Sequence, residues 1–196
     1  LLRPELAILT SYAKILLTRD ILNSDLPDTK LLQDKWLLHY FPAALREKYQ
    51  KEIKSHRLAR SIVATYLASE VVNRMGPTFV KEMMDRTGAS SSEVVKAWLI
   101  VRESFCLETF WSVIEGLDNK VLAAVQLNAM EDMVELAERE TYWFLTRLGR
   151  APDLEKDMKE YKAKVGELRT IIEDVVSENI GRSIKQQKEL AKDNGL

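Results

Sequence analysis

The scarcity of glycine and proline is the feature that most constrains the fold of this chain. Its 196 residues contain seven glycines and five prolines, and no segment sustains the alternation of apolar and polar residues that marks a β-strand. Pro4, Pro42 and Pro77 each precede a helical pattern, where the fixed φ and missing N–H of proline suit a first helical turn. The sequence therefore predicts an all-α fold.

Apolar periodicity and helix-end signals predict seven helices before the last third of the chain. Their ranges are 4–22, 28–40, 42–54, 57–75, 77–87, 90–104 and 107–115. The clearest start signal is Ser90 with Glu93 three positions later, which form a capping box. The predicted buried face of the first helix consists of Leu6, Leu9, Ala13, Leu16, Leu17 and Ile21. The helix over 57–75 carries an apolar stripe and, beside it, a narrow seam of small residues.

The last third of the chain has a heptad pattern. Its apolar positions are Leu127, Met130, Val134, Ala137, Thr141, Phe144 and Leu148, and then Leu154, Met158, Tyr161, Val165, Leu168, Ile172 and Val175. Only a short connection separates the two runs, which favours an antiparallel pair. We therefore predict an irregular multi-helix bundle over 1–120, an antiparallel coiled-coil-like helical hairpin over 121–176, packed on the bundle or projecting from it, and a polar helix or frayed tail over 177–196.

The composition is that of a globular protein with an ordinary water-exposed surface. The chain is 46% hydrophobic and 30% charged, with a formal net charge of -1. No apolar run approaches the roughly 18 to 20 residues that span a bilayer, and LLRPEL lacks the features of a signal peptide. We expect no membrane partner and a cytoplasmic location. Because the chain opens on Leu1 rather than Met, we also expect it to be a fragment of a longer protein.

Few residues offer catalytic chemistry. His39 and His56 have no serine, cysteine or aspartate at an interpretable catalytic spacing, so structural roles are favoured for both. Cys106, the single cysteine, lies between two apolar residues and is expected to behave as a small buried hydrophobe. The sequence also lacks the glycine-rich loops that cradle phosphates. We predict no catalytic and no cofactor-binding residue.

Four acidic residues lie within about two helical turns of the heptad region. They are Glu131, Asp132, Glu135 and Glu138. Di-iron sites in helical bundles need Glu-x-x-His on paired helices, and no glutamate here is followed by histidine three positions later. A solvated acidic face is the better interpretation, and no metal site is predicted.

Charge is unevenly distributed along the chain. Residues 42–60 carry six basic side chains against two acidic ones, and residues 103–140 carry nine acidic against two basic. Opposite surfaces on a near-neutral chain more often face a protein partner, or each other, than a polyanion. A nucleic-acid partner is therefore not predicted, and a nucleic-acid binder that uses 42–54 stays the weakest alternative. A stand-alone helical protein-interaction module is the runner-up hypothesis.

The stretch VVNRMGPTFV, residues 71–80, could either bind a phosphate or join two helices. Gly76 can adopt a left-handed conformation that closes one helix, and Pro77 can begin the next. Arg74 follows Glu70 by four residues, the spacing of a helical ion pair. Pro77 removes a backbone N–H that an anion site would need. A mechanical turn is the favoured interpretation.

Five segments, in order along the chain, resemble one known family. They are RPELAILTSYAK (3–14), YFPAALREKY (40–49), HRLARSIVATYLASEVVNRMGPTFV (56–80), GAS (88–90) and LDNKVLAAVQ (117–126). Together they resemble the C-terminal region of the large bacterial NAD-specific glutamate dehydrogenases. The resemblance is strong over 2–126 and looser over the hairpin. One departure is Cys106, where the family tends to have glycine.

The resemblance implies a parent enzyme that oxidatively deaminates L-glutamate to 2-oxoglutarate and ammonia and reduces NAD. In that family the catalytic machinery lies upstream of this segment, and none of its residues has a counterpart here. The chain would then be a non-catalytic structural or regulatory domain, with NAD bound only by the parent. Its expected partners are the catalytic domain of the same polypeptide and further copies in a homo-oligomer. Asn73 and Arg74, at a helix corner, are the predicted interdomain contact.

Overall fold

The computed structural model describes residues 2–148 and 151–168, and every regular element within these ranges is a helix. The prediction of an all-α fold is confirmed. The helices are α1 (Arg3–Leu22), α2 (Lys30–Leu32), α3 (Leu38–Tyr40), α4 (Ala43–Lys48), α5 (Gln50–Lys54), α6 (Ala59–Met75), α7 (Phe79–Thr87), α8 (Ser91–Ser104), α9 (Leu107–Glu115), α10 (Ala123–Arg147) and α11 (154–168). A 3₁₀ turn covers Leu26–Asp28. None of the described helices is long and apolar enough to cross a membrane.

Two of the predicted helices are less regular than expected. Between α2 and α3 the chain takes a π-helical turn, Gln33–Leu37, within one continuous helical segment, and this turn buries both Trp36 and Leu37. The single helix predicted over 42–54 is wrong, because Tyr49, with φ -122° and ψ 35°, separates α4 from α5. α4 has no buried residue, whereas α5 places Ile53 in the core. No single apolar face runs through both pieces, so nothing in the core requires them to be continuous.

α6 and α8 form the centre of the core. The predicted stripe and small-residue seam of α6 are all buried: Ala59, Val63, Ala64, Leu67, Ala68, Val71, Val72 and Met75. α8 begins at the predicted capping box, in which the Ser90 Oγ accepts a hydrogen bond from the Glu93 N–H at 3.3 Å. α8 is packed by α1, α7, α9 and α10, and its Trp98 is fully buried.

α1 enters the core with its C-terminal half only. Of the six positions predicted to be buried, only Leu17 and Ile21 are, and Ala13 is half-buried. Leu6, Leu9 and Leu16 are exposed. α1 packs on α6 and touches α8, but the residues of its first two turns are exposed. The periodicity identified the correct face, and the tertiary structure covers only half of it.

α10 packs across α8, α9 and α7. The middle of its predicted seam, Ala137, Thr141 and Phe144, is buried, whereas Leu127 is exposed. On α11, Leu154 is buried, and the Tyr161 ring centroid lies 4.7 Å from that of Phe144.

The coiled-coil geometry of this pair and the division of the chain at 120 and 176 stay predictions. The heptad positions Ile172 and Val175, together with 177–196, lie outside the described residues.

Candidate functional site

The corner between α6 and α7 is a turn imposed by Gly76 and Pro77. Gly76 has φ 86° and ψ 167°, and its N–H donates to the Val72 carbonyl at 3.0 Å. The predicted positive φ is present, but the ψ is extended rather than left-handed helical, because a residue before proline avoids helical ψ. Pro77 does not begin the next helix as predicted, since α7 starts two residues later at Phe79.

The two predicted contact residues at this corner differ in their surroundings. Asn73 is exposed, whereas the Arg74 guanidinium lies 2.5 Å from the Glu115 carboxylate and 4.7 Å from the ring centroid of Trp111. The predicted Glu70–Arg74 pair is wrong, because Arg74 reaches across to α9 and Glu70 faces Arg102 at 3.7 Å. Arg74 therefore braces α6 against α9, and Asn73 is the more accessible of the two.

The most concentrated polar site in the described core surrounds Arg102 on α8. Arg102 is only 3% exposed, and its Nη1 donates to Glu103 at 2.8 Å. Its Nη2 pairs with Glu108 on α9 and faces Glu70 on α6. A guanidinium offers only N–H donors and no acceptor. The arrangement is an electrostatic brace between three helices.

Aromatic rings complete the Arg102 site. The guanidinium carbon is 5.9 Å from the ring centroids of both Trp36 and Trp98. Lys35 pairs with Glu103 at the entrance, and His39 lines the same small cleft. No sequence pattern predicted this site. The available signal was that Arg102 directly follows the apolar run AWLIV, where burial of an arginine demands charged partners.

His56 and Cys106 occupy positions with visible structural contacts, whereas His39 is exposed. The Nδ1 of His56 accepts the Leu58 N–H at 3.2 Å, and its ring packs edge-on against Phe41. Cys106 is half-buried rather than fully buried, and it links α8 to α9 with φ 53° and ψ 38°. This left-handed conformation is the one that glycine adopts most easily. The backbone at Cys106 thus suits the glycine that the resemblance implies at this position.

The acidic side chains of α10 do not converge. Glu131, Asp132 and Glu135 are exposed, and Glu138 pairs with Arg86 of α7 at 2.9 Å. Within the described ranges, no group of three or more histidine, cysteine, aspartate or glutamate side chains is arranged to hold a metal ion.

Part of the basic segment 42–60 is neutralised within the chain. Lys54 pairs with Asp34, and Arg60 pairs with Asp28. Arg60 also donates to the Leu22 carbonyl at 2.7 Å, at the end of α1. These contacts reduce the charge that this surface presents to a partner.

One surface feature of the described residues that these contacts leave unexplained is apolar. Along α1, the exposed large apolar side chains are Leu2, Leu6, Ile8, Leu9, Tyr12, Ile15 and Leu16. Monomeric proteins rarely leave contiguous apolar patches of this kind uncovered, and such patches mark interaction sites.

Comparison with known proteins identifies the family. The family described as "Glutamate dehydrogenase, C-terminal" matches residues 1–196. The NAD-specific glutamate dehydrogenase of Halomonas elongata is 38% identical over 187 residues, which is 95% of this chain and 11% of that protein. That of Pseudomonas aeruginosa is 38% identical over 168 residues, 86% of this chain and 10% of that protein. That of Mycobacterium tuberculosis is 30% identical over 142 residues, 72% of this chain and 9% of that protein.

The chain thus spans about a tenth of the length of the curated relatives that it matches. Because the family match covers the whole chain, this chain belongs to the glutamate dehydrogenase C-terminal family.

Proposed function

We propose that the chain is the non-catalytic C-terminal structural or regulatory domain of an NAD-dependent glutamate dehydrogenase. The parent would convert L-glutamate, NAD and water to 2-oxoglutarate, ammonia and NADH, in the cytoplasm and as a homo-oligomer. The observation that carries the proposal is the family match over 1–196, joined to relatives of which this chain is only about a tenth. The parent enzyme would bind NAD outside this segment, and the segment itself would bind no cofactor.

The charged groups of the described core support a structural role. Arg102 is held by Glu103 and Glu108, and Arg74 by Glu115. Charges already engaged with one another in this way fix helices in place. They are poorly suited to binding a substrate, which would have to displace them.

Titration calorimetry with NAD tests the non-catalytic assignment. The 196-residue chain, shown to be folded by circular dichroism, is expected to give no binding heat, and the full parent polypeptide is expected to bind. Micromolar binding by the 196-residue chain would contradict the assignment. A parent truncated before this segment is the complementary test. It is expected to retain NAD binding while its assembly or its turnover changes.

The contact at Asn73 and Arg74 is part of the same proposal. Because Arg74 already pairs with Glu115, a change at Arg74 would also disturb α9, and Asn73→Arg is the cleaner probe. Gln50→Arg, at another exposed polar helix position, is the matched control. In the full polypeptide we expect Asn73→Arg to lower activity or assembly and Gln50→Arg to leave both unchanged. Equal behaviour of the two variants would remove Asn73 from the contact.

A further inference from the structure

α1 carries apolar side chains on two opposite sides, although only one of these sides meets the core. Leu17 and Ile21 are buried against the rest of the fold. Ile8, Tyr12 and Ile15 follow a four-and-three spacing that places them on the opposite side of the helix. Their exposed fractions are 59%, 62% and 63%. Exposed apolar side chains grouped on one side of a helix are typical of a surface that meets another molecule or another part of the same protein.

The exposed side of α1 continues into a groove at the α6–α7 corner. Leu16, half exposed, joins the two surfaces. The groove is lined mainly by apolar groups, among them Ala13, Leu16, Gly76, Pro77, Val80 and Met84. The stretch VVNRMGPTFV therefore forms one wall of a concave apolar surface, even though it holds no phosphate loop.

The apolar composition and balanced charge of this surface favour an apolar protein segment as its binding partner. Glu5 and Arg19 lie beside the exposed stripe, one of each sign, so the surface offers no net charge to a polyanion. A helix that lies on a membrane needs a strongly charged opposite face, whereas the opposite face of α1 is buried in the core.

The source of that segment follows from the length of the relatives. This chain makes up 11% of the Halomonas elongata protein, so about nine-tenths of such a polypeptide lies outside it. A segment tethered to the same chain acts at an effective concentration near the millimolar range, well above that of a free partner.

We infer that the Ile8–Tyr12–Ile15 face of α1, with the groove at Gly76–Pro77, is covered by an apolar segment of the same polypeptide from outside these 196 residues. The inference rests on the proposed function, since it takes the chain as one domain of a longer enzyme. It goes further by naming the docking surface, which is distinct from the predicted contact at Asn73.

Hydroxyl-radical labelling of the full parent polypeptide tests whether the face is covered. The measured quantity is the oxidation rate of the Tyr12 ring in the native protein relative to the same polypeptide unfolded in guanidinium. A covered Tyr12 is expected to react many-fold more slowly in the native protein. A ring 62% exposed, as here, would react within about twofold of the unfolded rate, and that result would overturn the inference.

Photo-cross-linking identifies the occupant. The full polypeptide, with a benzoylphenylalanine in place of Tyr12, is assembled from an equal mixture of ¹⁴N- and ¹⁵N-labelled chains and irradiated. The expected result is cross-links from position 12 to residues outside the 196. These cross-links should join only peptides of the same isotope. Mixed-isotope cross-links would assign the face to a second copy, and cross-links only within the 196 residues would place no outside segment there. Either result would overturn the inference.

Two double substitutions test the docking surface independently of the proposed function. In the full polypeptide, Ile8→Lys with Ile15→Lys is expected to restore fast labelling of Tyr12, and Ile8→Leu with Ile15→Leu is expected to keep it slow. If the lysine variant leaves Tyr12 as protected as the leucine variant does, the inference is wrong. NAD titration of the 196-residue chain reports on the non-catalytic role independently, so that role could fail while Tyr12 stays protected, and the reverse.

Discussion

α1 and α8 are both strongly apolar helices, yet the fold treats them in opposite ways. α8 buries nine of its fourteen residues, and α1 buries two of its twenty. α8 is surrounded by α7, α9, α10 and α1, whereas α1 packs mainly on α6. The burial of a helix is thus set by how many neighbours the tertiary structure supplies. Exposed apolar side chains on a helix with few neighbours mark an interaction site.

The two helices also begin differently. α8 starts at the Ser90–Glu93 capping box, with hydrogen bonds between the two residues in both directions. α1 starts after Leu2, whose side chain cannot accept a hydrogen bond, although the Leu2 N–H donates to the Glu5 carboxylate at 2.7 Å. α8 is therefore defined locally as well as by packing.

The largest expected effect is the difference in unfolding free energy between a substitution in α8 and one in α1. Trp98→Ala, at the fully buried centre of α8, should lower the free energy of unfolding by about 3–5 kcal/mol. Ile15→Ala, on the exposed face of α1, should change it by no more than about 0.5 kcal/mol. Urea unfolding of the 196-residue chain measures both. Comparable losses would show that α1 is as well covered in this chain as α8, and the comparison would fail.

A smaller effect is expected from substituting one arginine in each helix. Arg102→Met keeps much of the side-chain volume but leaves Glu70, Glu103 and Glu108 without their shared cation. Breaking a buried pair costs about 3–5 kcal/mol, and because these carboxylates are partly exposed we expect about 2–3 kcal/mol here. The matched change Arg19→Met on exposed α1 should be close to neutral. An Arg102→Met variant as stable as the parent chain would show that the cluster does not brace the helices.

The next largest change in stability is expected at Gly76, in the turn between α6 and α7 beside α1. Gly76→Ala introduces a Cβ at φ 86° and ψ 167°, a conformation that other residues adopt at a cost of about 1–3 kcal/mol. Gly166→Ala, in helical α11 with open space around the added Cβ, should instead stabilise the chain by about 0.5–1 kcal/mol. Thermal unfolding of the two variants measures the contrast. If both substitutions stabilise, the Gly76 turn is not the constraint that shapes the groove beside α1.

Removal of the α8 cap tests the local signal. Ser90→Ala deletes the acceptor of the Glu93 N–H and should cost about 1 kcal/mol in the free energy of unfolding. Ser91→Ala, in the first turn of the same helix, is the neighbouring control and should cost less. Equal losses at the two serines would contradict a specific role for the cap.

The smallest predicted effect is a pH dependence at the same cap. Hydrogen bonds from the Ser90 hydroxyl and Ser90 N–H hold the pKa of the Glu93 carboxyl below its usual value. A carboxyl with a lowered folded pKa stabilises the protein above its unfolded pKa, and the contribution is lost as the pH falls through the folded pKa. The stability difference between the parent chain and Glu93→Gln should therefore be largest near neutral pH and shrink below about pH 4. A difference independent of pH would contradict ionic capping.

Much of the fold follows from local patterns. The α6 stripe and the Ser90 cap were predictable because each depends on residues within one helical turn or on one periodic face. The π-helical turn and the Arg102 cluster were not, because each involves contacts between residues far apart in the sequence, and no local pattern marked the break at Tyr49. Arg74 illustrates the difference. Its helical spacing to Glu70 was correct, but its guanidinium pairs with Glu115, forty-one residues away.

The sequence by itself determined that this chain is helical, where its strongest cap lies and which family it resembles, because these depend on periodicity, turn chemistry and extended local similarity. Only the tertiary structure decided which apolar faces are covered. Leu17 and Ile15 are both apolar residues of α1, yet one is 4% exposed and the other 63%. The hydrophobic driving force acts on whatever apolar surface lies nearby, and the neighbour that covers a face is supplied by the whole fold rather than by the helix that bears it.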